Sequence, residues 1–314
     1  MPESVRAALL ADGSYDGVAT TAEGPPLVFA SRTAHGANTG QAWELTAGEL
    51  TAGGLTAGAA LGPPVPDFPA GRAEWTFGLP AGSPTVAWTH RDRVHVQDVR
   101  TGRELVLDGQ PDLLALAVHE GRGAVVAIFG PASDAGVVVW DALTGDRLAE
   151  FTLWLGHGTA IDRSALHATP ATGPLVALTG FADTVVLDVE RGEDVVAVPS
   201  ADAVLAPSPH GLVLVQPVEN ALHVRGLDGE GVTVLTAPAP CDRVAASGGG
   251  PSGRLLAAAV LAGDPCTVLA WDAATPAPSH GVKVPAPIND LALAPDGALL
   301  AATDEGLHIA RLCP

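Results

Sequence analysis

Apolar residues in this chain fall in short runs rich in Val, Leu, Ile and Ala, each cut off by Gly, Pro or Asp. Seven such runs recur: PPLVFAS, SPTVAWTH, GAVVAIFG, GPLVALTG, HGLVLVQP, GRLLAAAV and GALLAATD. Their length and branched content suit strands, and no stretch sustains the apolar period of a helix. The pattern predicts an all-β chain.

A second strand and a turn follow each run by a dozen or so residues. The best preserved example is VVVWDALTGDRL (Val137–Leu148), where Trp140-Asp141 precede a Thr-Gly turn. The equivalent pairs are Trp43-Glu44, Gln97-Asp98, Leu187-Asp188, Arg225-Gly226, Trp271-Asp272 and Ala310-Arg311. The second residue of each pair falls at 44, 98, 141, 188, 226, 272 and 311, a mean interval of 44.5 residues. A period of about 40–45 residues with four short strands per unit is the signature of propeller blades.

These residues resemble the WD-repeat family. The resemblance rests on the Trp-Asp pairs, on Gly156-His157 at the start of one unit, and on Asp134 and Asp304, each six residues before the first residue of its pair. It implies a seven-bladed β-propeller of four-stranded antiparallel blades. It also implies that Trp43, Trp140, Asp141, His157, Trp271 and Asp272 hold blades together. Only two of the seven pairs read Trp-Asp, and the unit with His157 has Leu187 in place of Trp. A less regular propeller of the same size fits the same counts.

The expected blades span residues 16–60, 72–109, 111–152, 157–199, 200–237, 241–285 and 287–314, within a single domain over 1–314. The seventh copy lacks an outer strand, and ESVRAALLAD (Glu3–Asp12) offers one. Residues 3–11 are therefore expected to complete the last blade, with Val5–Leu10 pairing to Leu307–Leu312, because an open ring would leave two unpaired edges. The Pro-rich stretch LGPPVPDFPAG (Leu61–Gly71) reads as a connector between blades one and two. LTAGELTAGGLTAGAALG (Leu45–Gly62) repeats with period five, which keeps no single strand face apolar, so part of it reads as loop.

Composition adds limits. Apolar residues make up 47% of the chain and aromatics 4%, so the core is expected to be built from Ala, Val and Leu. The net charge of −19 argues against nucleic acid and anionic membranes as partners. Fifteen Arg against the single Lys283, with abundant Ala, Gly and Pro, resemble the output of a GC-rich bacterial genome. Cys241, Cys266 and Cys313 are far apart, so neither a zinc site nor a disulfide framework is expected. No signal pattern or membrane span is read, and a cytoplasmic, monomeric protein is the expectation.

Catalytic motifs are weak. SGGGPSGR (Ser247–Arg254) lacks the Lys-Ser/Thr of a phosphate loop and reads as a turn. Asp162, Ser164 and His167 lie too close along one strand to converge as a triad. His95, His223 and His308 occupy repeat-equivalent positions and read as packing residues.

One constellation stands apart. An acid recurs at the start of each innermost strand: Asp16, Glu74, Asp112, Asp162, Asp202, Asp242 and Asp290. The resemblance puts these positions on the face of the inter-blade connections, near the channel mouth. Charges 4 Å apart in water repel by only about 1 kcal/mol, so a wide, wet ring of acids is tolerable. Arg163 and Arg243 each follow an acid and would offset part of it. Asp is also a common turn residue whose side chain bonds nearby backbone N–H groups, and this reading stands beside that of a binding face.

Two functions follow. The first is a protein-interaction scaffold that binds a protein partner, a basic one being the candidate, through the acidic face, with no resident cofactor. The alternative is a propeller enzyme or small-ligand binder, lactonase- or esterase-like, using a divalent cation held by channel carboxylates.

Overall fold

The computed structural model describes residues 2–21, 25–34, 37–45, 60–69, 74–130, 135–153, 173–179, 184–199, 203–229, 231–248 and 254–312. The described residues form 28 strands in seven sheets, with one short 3-10 turn at Pro80–Gly82. Among them no helix is long and apolar enough to cross a membrane. The chain divides into two compact units, one of Met1–Leu61 with Asp202–Pro314, the other of Gly62–Ala201.

The first unit holds blades one, five, six and seven. Blade one has Ser14–Thr20, Leu27–Ala34 and Ala37–Glu44 in this unit; Ala60–Pro66, fourth in its strand order, belongs to this unit only as far as Leu61. Blade five is Val204–Ser208, Gly211–Val218, Ala221–Gly226 and Val232–Thr236. Blade six is Cys241–Ser247, Leu256–Leu261, Asp264–Asp272 and His280–Lys283. Blade seven is Ile288–Leu293, Ala298–Thr303 and Gly306–Arg311, with Ala8–Asp12 as its fourth strand.

The second unit holds blades two, three and four. Blade two is Trp75–Gly78, Thr85–His90, Arg93–Asp98 and Glu104–Asp108. Blade three is Leu113–His119, Arg122–Phe129, Ala135–Asp141 and Arg147–Leu153. Blade four shows Leu175–Thr179, Thr184–Asp188 and Glu193–Val198 among the described residues.

Both faces of the second strands are covered, which is why they read as unbroken apolar runs. Ala124–Ile128 and Ala298–Thr303 are buried at every position. Outer strands alternate instead, as in Glu104–Asp108, where only Leu107 is buried. Small side chains fill much of the space between blades. One cluster joins Ala258, Val260 and Val268 of blade six to Leu291, Leu299 and Ala301 of blade seven. Another joins Leu300 and Ile309 of blade seven to Val18 and Val28 of blade one.

Two segments depart from the sequence expectation. The strand that completes blade seven is Ala8–Asp12, antiparallel to Gly306–Arg311 with Ala8 opposite Ile309 and Asp12 opposite Gly306. Residues Glu3–Arg6 leave that sheet and lie parallel to His280–Lys283 as a fifth strand of blade six. Burial explains the division at Ala7. Val5 and Ala7 pack on the cluster shared by blades six and seven, while Ala8, Leu10 and Ala11 pack on the one shared with blade one.

The Pro-rich stretch is the second departure. Ala60–Pro66 is a strand, not a connector. Proline lacks the N–H that a central strand must donate, but an outermost strand tolerates it. Val65 is its buried position. Most of the period-five repeat, 46–59, lies outside the described residues.

Candidate functional site

Every repeat pair lies at the end of a strand, and in the four pairs whose second residue is Asp that side chain has a definite task. Asp98 Oδ1 accepts the N–H groups of Arg100 and Thr101 at 3.0 and 2.8 Å. Asp141 Oδ1 accepts those of Leu143 and Thr144 at 2.8 and 3.0 Å. Asp188 Oδ1 accepts those of Glu190 and Arg191, and Asp272 Oδ1 accepts that of Ala274. These are Asx turns, in which the carboxylate replaces a strand partner for the turn's N–H groups. In blades two, three and four the turn closes on Gly102, Gly145 or Gly192 at positive φ, each donating to the backbone oxygen of the pair's Asp.

The residue after the pair forms a further link. Leu45, Val99, Ala142, Val189, Ala273 and Leu312 donate their N–H groups to Pro26, Pro84, Gly123, Pro174, Leu255 and Gly297 respectively. Each bond ties the end of one strand to the start of the strand before it in the chain. A backbone-only link leaves no side-chain signal, so sequence reasoning missed it.

The aromatic members of the pairs differ in burial. Trp271 is fully buried, and its Nε1–H donates to the Thr236 backbone oxygen at 3.1 Å. Trp140 meets Phe129 edge-on with ring centroids 6.3 Å apart. Trp43 is half-buried against the cluster between blades seven and one. His157 lies outside the described residues.

Five of the seven candidate acids are described; Asp162 and Asp202 are not. In the first unit, Asp290 Oδ2 accepts the N–H of Val18 in blade one at 2.9 Å, and its Oδ1 accepts the N–H of Leu291. Asp16 accepts from the Thr33 hydroxyl. Asp242 is exposed and ion-pairs with Arg243 at 3.0 Å. In the second unit, Asp112 Oδ2 accepts the Gly130 N–H at 2.8 Å. Glu74 is exposed, immediately before the first strand of blade two.

A neighbouring network was not foreseen. Asn289 Nδ2 donates to the Tyr15 backbone oxygen at 3.0 Å and to Asp304 Oδ1 at 2.9 Å. Ser14 also donates to Asp304 Oδ1. Asp304, singled out by its spacing from Ala310, thus helps join blade seven to blade one. Burial raises the Tyr15 phenol pKa, Arg32 pulls it down and Asp12 adds to the rise. In blade two, His95 Nδ1 lies 2.6 Å from Glu104 Oε1, and the His95 ring stacks on Trp88 at 5.1 Å. Among the described residues no group of three or more His, Cys, Asp or Glu side chains could hold a metal ion.

The chain is similar in fold to solved structures. It is similar to the solved structure of U3-55K, with a TM-score of 0.63 at 12% identity over 99% of this chain and 100% of that one. It is similar to the crystal structure of the RRP9 WD40 repeats, with a TM-score of 0.60 at 12% identity over 99% of each chain. The computationally designed Ika8 protein aligns with a TM-score of 0.57 at 14% identity, over 99% of this chain and 100% of that one. No family model and no curated protein sequence matches the chain. The likeness is one of fold: a seven-bladed β-propeller with four-stranded antiparallel blades.

Proposed function

We propose that the chain is a protein-interaction scaffold of the WD-repeat type, which engages a cationic protein partner through the acids at the starts of its first strands. The observation that carries the reading is the recurrence of an acid near the start of the first strand in five blades, within its first three residues for Asp16, Asp242 and Asp290 and just before it for Glu74 and Asp112. Asp16, Asp112 and Asp290 also brace the fold through the hydrogen bonds they accept. Glu74 and Asp242 are exposed, and a net charge of −19 favours a basic partner over nucleic acid. The reading carries with it a cytoplasmic, bacterial protein that is monomeric by itself and has no resident cofactor. Among the described residues no group of three or more His, Cys, Asp or Glu side chains favours the metal-dependent enzyme.

The test is calorimetric titration of the full chain with a deca-lysine and a deca-glutamate peptide at low salt. The lysine peptide binds and the glutamate peptide does not. Glu74→Gln with Asp242→Asn weakens binding severalfold and flattens its salt dependence. Binding that ignores these changes overturns the acidic-face reading. A divalent ion co-purifying in stoichiometric amount favours the enzyme.

A further inference from the structure

The segment Glu3–Arg6 is a strand that blade six does not need. Blade six already has four strands, and Glu3–Arg6 adds a fifth along its outer edge, in parallel register from Glu3 opposite His280 to Arg6 opposite Lys283. The Glu3 N–H donates to the Ser279 backbone oxygen at 2.8 Å. Val5 alone among the four is not exposed, and it packs on the cluster that holds Val282 and Val284. A side-chain carbon at Gly281 would sit 3.7 Å from the Pro2 ring, an ordinary contact distance, so the residue before Glu3 also lies against this edge.

The charges along this seat fit the resident strand at one end only. Glu3 Oε2 lies 3.9 Å from His280 Nε2. At the other end Arg6 is register-paired with Lys283, the single lysine of the chain, and both are exposed. Like charges directly opposite weaken a strand pair. A short, exposed edge pairing with one apolar anchor belongs to the low-stability end of a fold and opens readily. Its release leaves an unpaired row of N–H and C=O groups on His280–Lys283, the template for strand addition.

We propose that the outer edge of blade six is a strand-docking site that Glu3–Arg6 occupies in cis. Its exchange partner is an extended segment with a β-branched residue in the place of Val5 and acids in the places of Glu3 and Arg6. The inference is independent of the acidic-face reading, since it concerns a different edge of the molecule and an acidic partner, not a basic one.

The experiment uses the full chain and labelled peptides followed by fluorescence anisotropy. The probes are Pro-Glu-Ser-Val-Arg-Ala, the same peptide with Glu in place of Arg, and the latter with Asp in place of Val. Val5→Asp in the protein detaches the resident strand. Glu3→Pro, at an exposed position, removes the bond to Ser279 and serves where Val5→Asp impairs folding.

Either detached variant binds the Val-containing peptides, the Glu form about two- to fivefold tighter than the Arg form. Lys283→Glu in the same background reverses that order. The wild-type chain binds at least about tenfold more weakly, because a tethered strand competes at a roughly millimolar effective concentration. The Asp-containing peptide does not bind. Equal binding to wild-type and detached chains, no binding by a folded detached variant, or an order that ignores Lys283→Glu overturns the proposal. A wild-type dimer that Val5→Asp abolishes, without peptide binding, would assign the edge to a second copy and overturn it as well.

Discussion

Asp290 accepts the backbone N–H of Val18 at 2.9 Å, across 272 residues of sequence and from one blade to the next. Val18 is buried, so its N–H has no ready recourse to water once the carboxylate is gone. Asp290→Ala is expected to cost about 1–3 kcal/mol, the price of a buried donor left unsatisfied. Asp290→Asn keeps an acceptor and loses at most half of that. Urea unfolding of both variants measures the difference, and an Ala variant as stable as wild type removes this bond from the account of the seam.

The turn acids act locally. Asp141→Ala leaves the N–H groups of Leu143 and Thr144 without their acceptor. The expected loss is about 1 kcal/mol, and Asp141→Asn recovers most of it because an amide oxygen also accepts. Thermal unfolding at fixed pH checks the order wild type, Asn, Ala. If Asn behaves as Ala, the contact with Arg122, 3.7 Å from Asp141 Oδ2, matters more than the turn.

The repeat was legible because its determinants are local. A strand period, an Asp and a Gly four residues later write the Asp141 turn into a dozen residues. The position of the acid at 290 was legible too, but its partner was not, since only the folded chain brings Val18 beside it. The division of residues 3–12 at Ala7 depends on which inter-blade cluster covers Val5 and which covers Leu10. Ala60–Pro66 was misread because proline content signals a turn unless the strand is known to be outermost.

The Gly-rich stretch that begins at Ser247 has a packing role at its second residue. A Cβ on Gly248 would run into the backbone oxygen of Pro207 in blade five. That atom cannot rotate away as a side-chain tip would. Gly248→Ala is therefore expected to destabilise by about 2 kcal/mol or more, through overpacking and a shifted backbone. An alanine variant with unchanged melting temperature would show that the two blades part without cost.

Burial pushes the Cys241 thiol up to about 11. The thiolate is the reactive form, and an ordinary thiol ionises near 8.5. At pH 8 the thiolate fraction in the folded chain is expected to be roughly two-hundredfold below that of a free cysteine peptide. Iodoacetamide labelling followed by peptide mapping should find Cys241 slow in the native protein and fast in urea. Native labelling as fast as the unfolded chain would mean that blade six opens on the timescale of the reaction.

His308 lies opposite Leu9 beneath the fourth strand of blade seven, and its Nε2 has no protein hydrogen-bond partner. Burial lowers its pKa, and Glu305 pulls it back up. The sign of the pH effect follows. Above about pH 6.5, the ordinary imidazole value, folded and unfolded chains both hold His308 neutral and stability is at its full value. As the pH falls below that, the unfolded chain takes the proton first, so stability is lost until the lowered folded pKa is reached. His308→Gln cannot titrate, so the wild type should lose more unfolding free energy than the variant between pH 7.5 and pH 5. Subtracting the two curves cancels the carboxylates common to both, and parallel curves would show that the proton reaches His308 as easily in the folded chain as in the unfolded one.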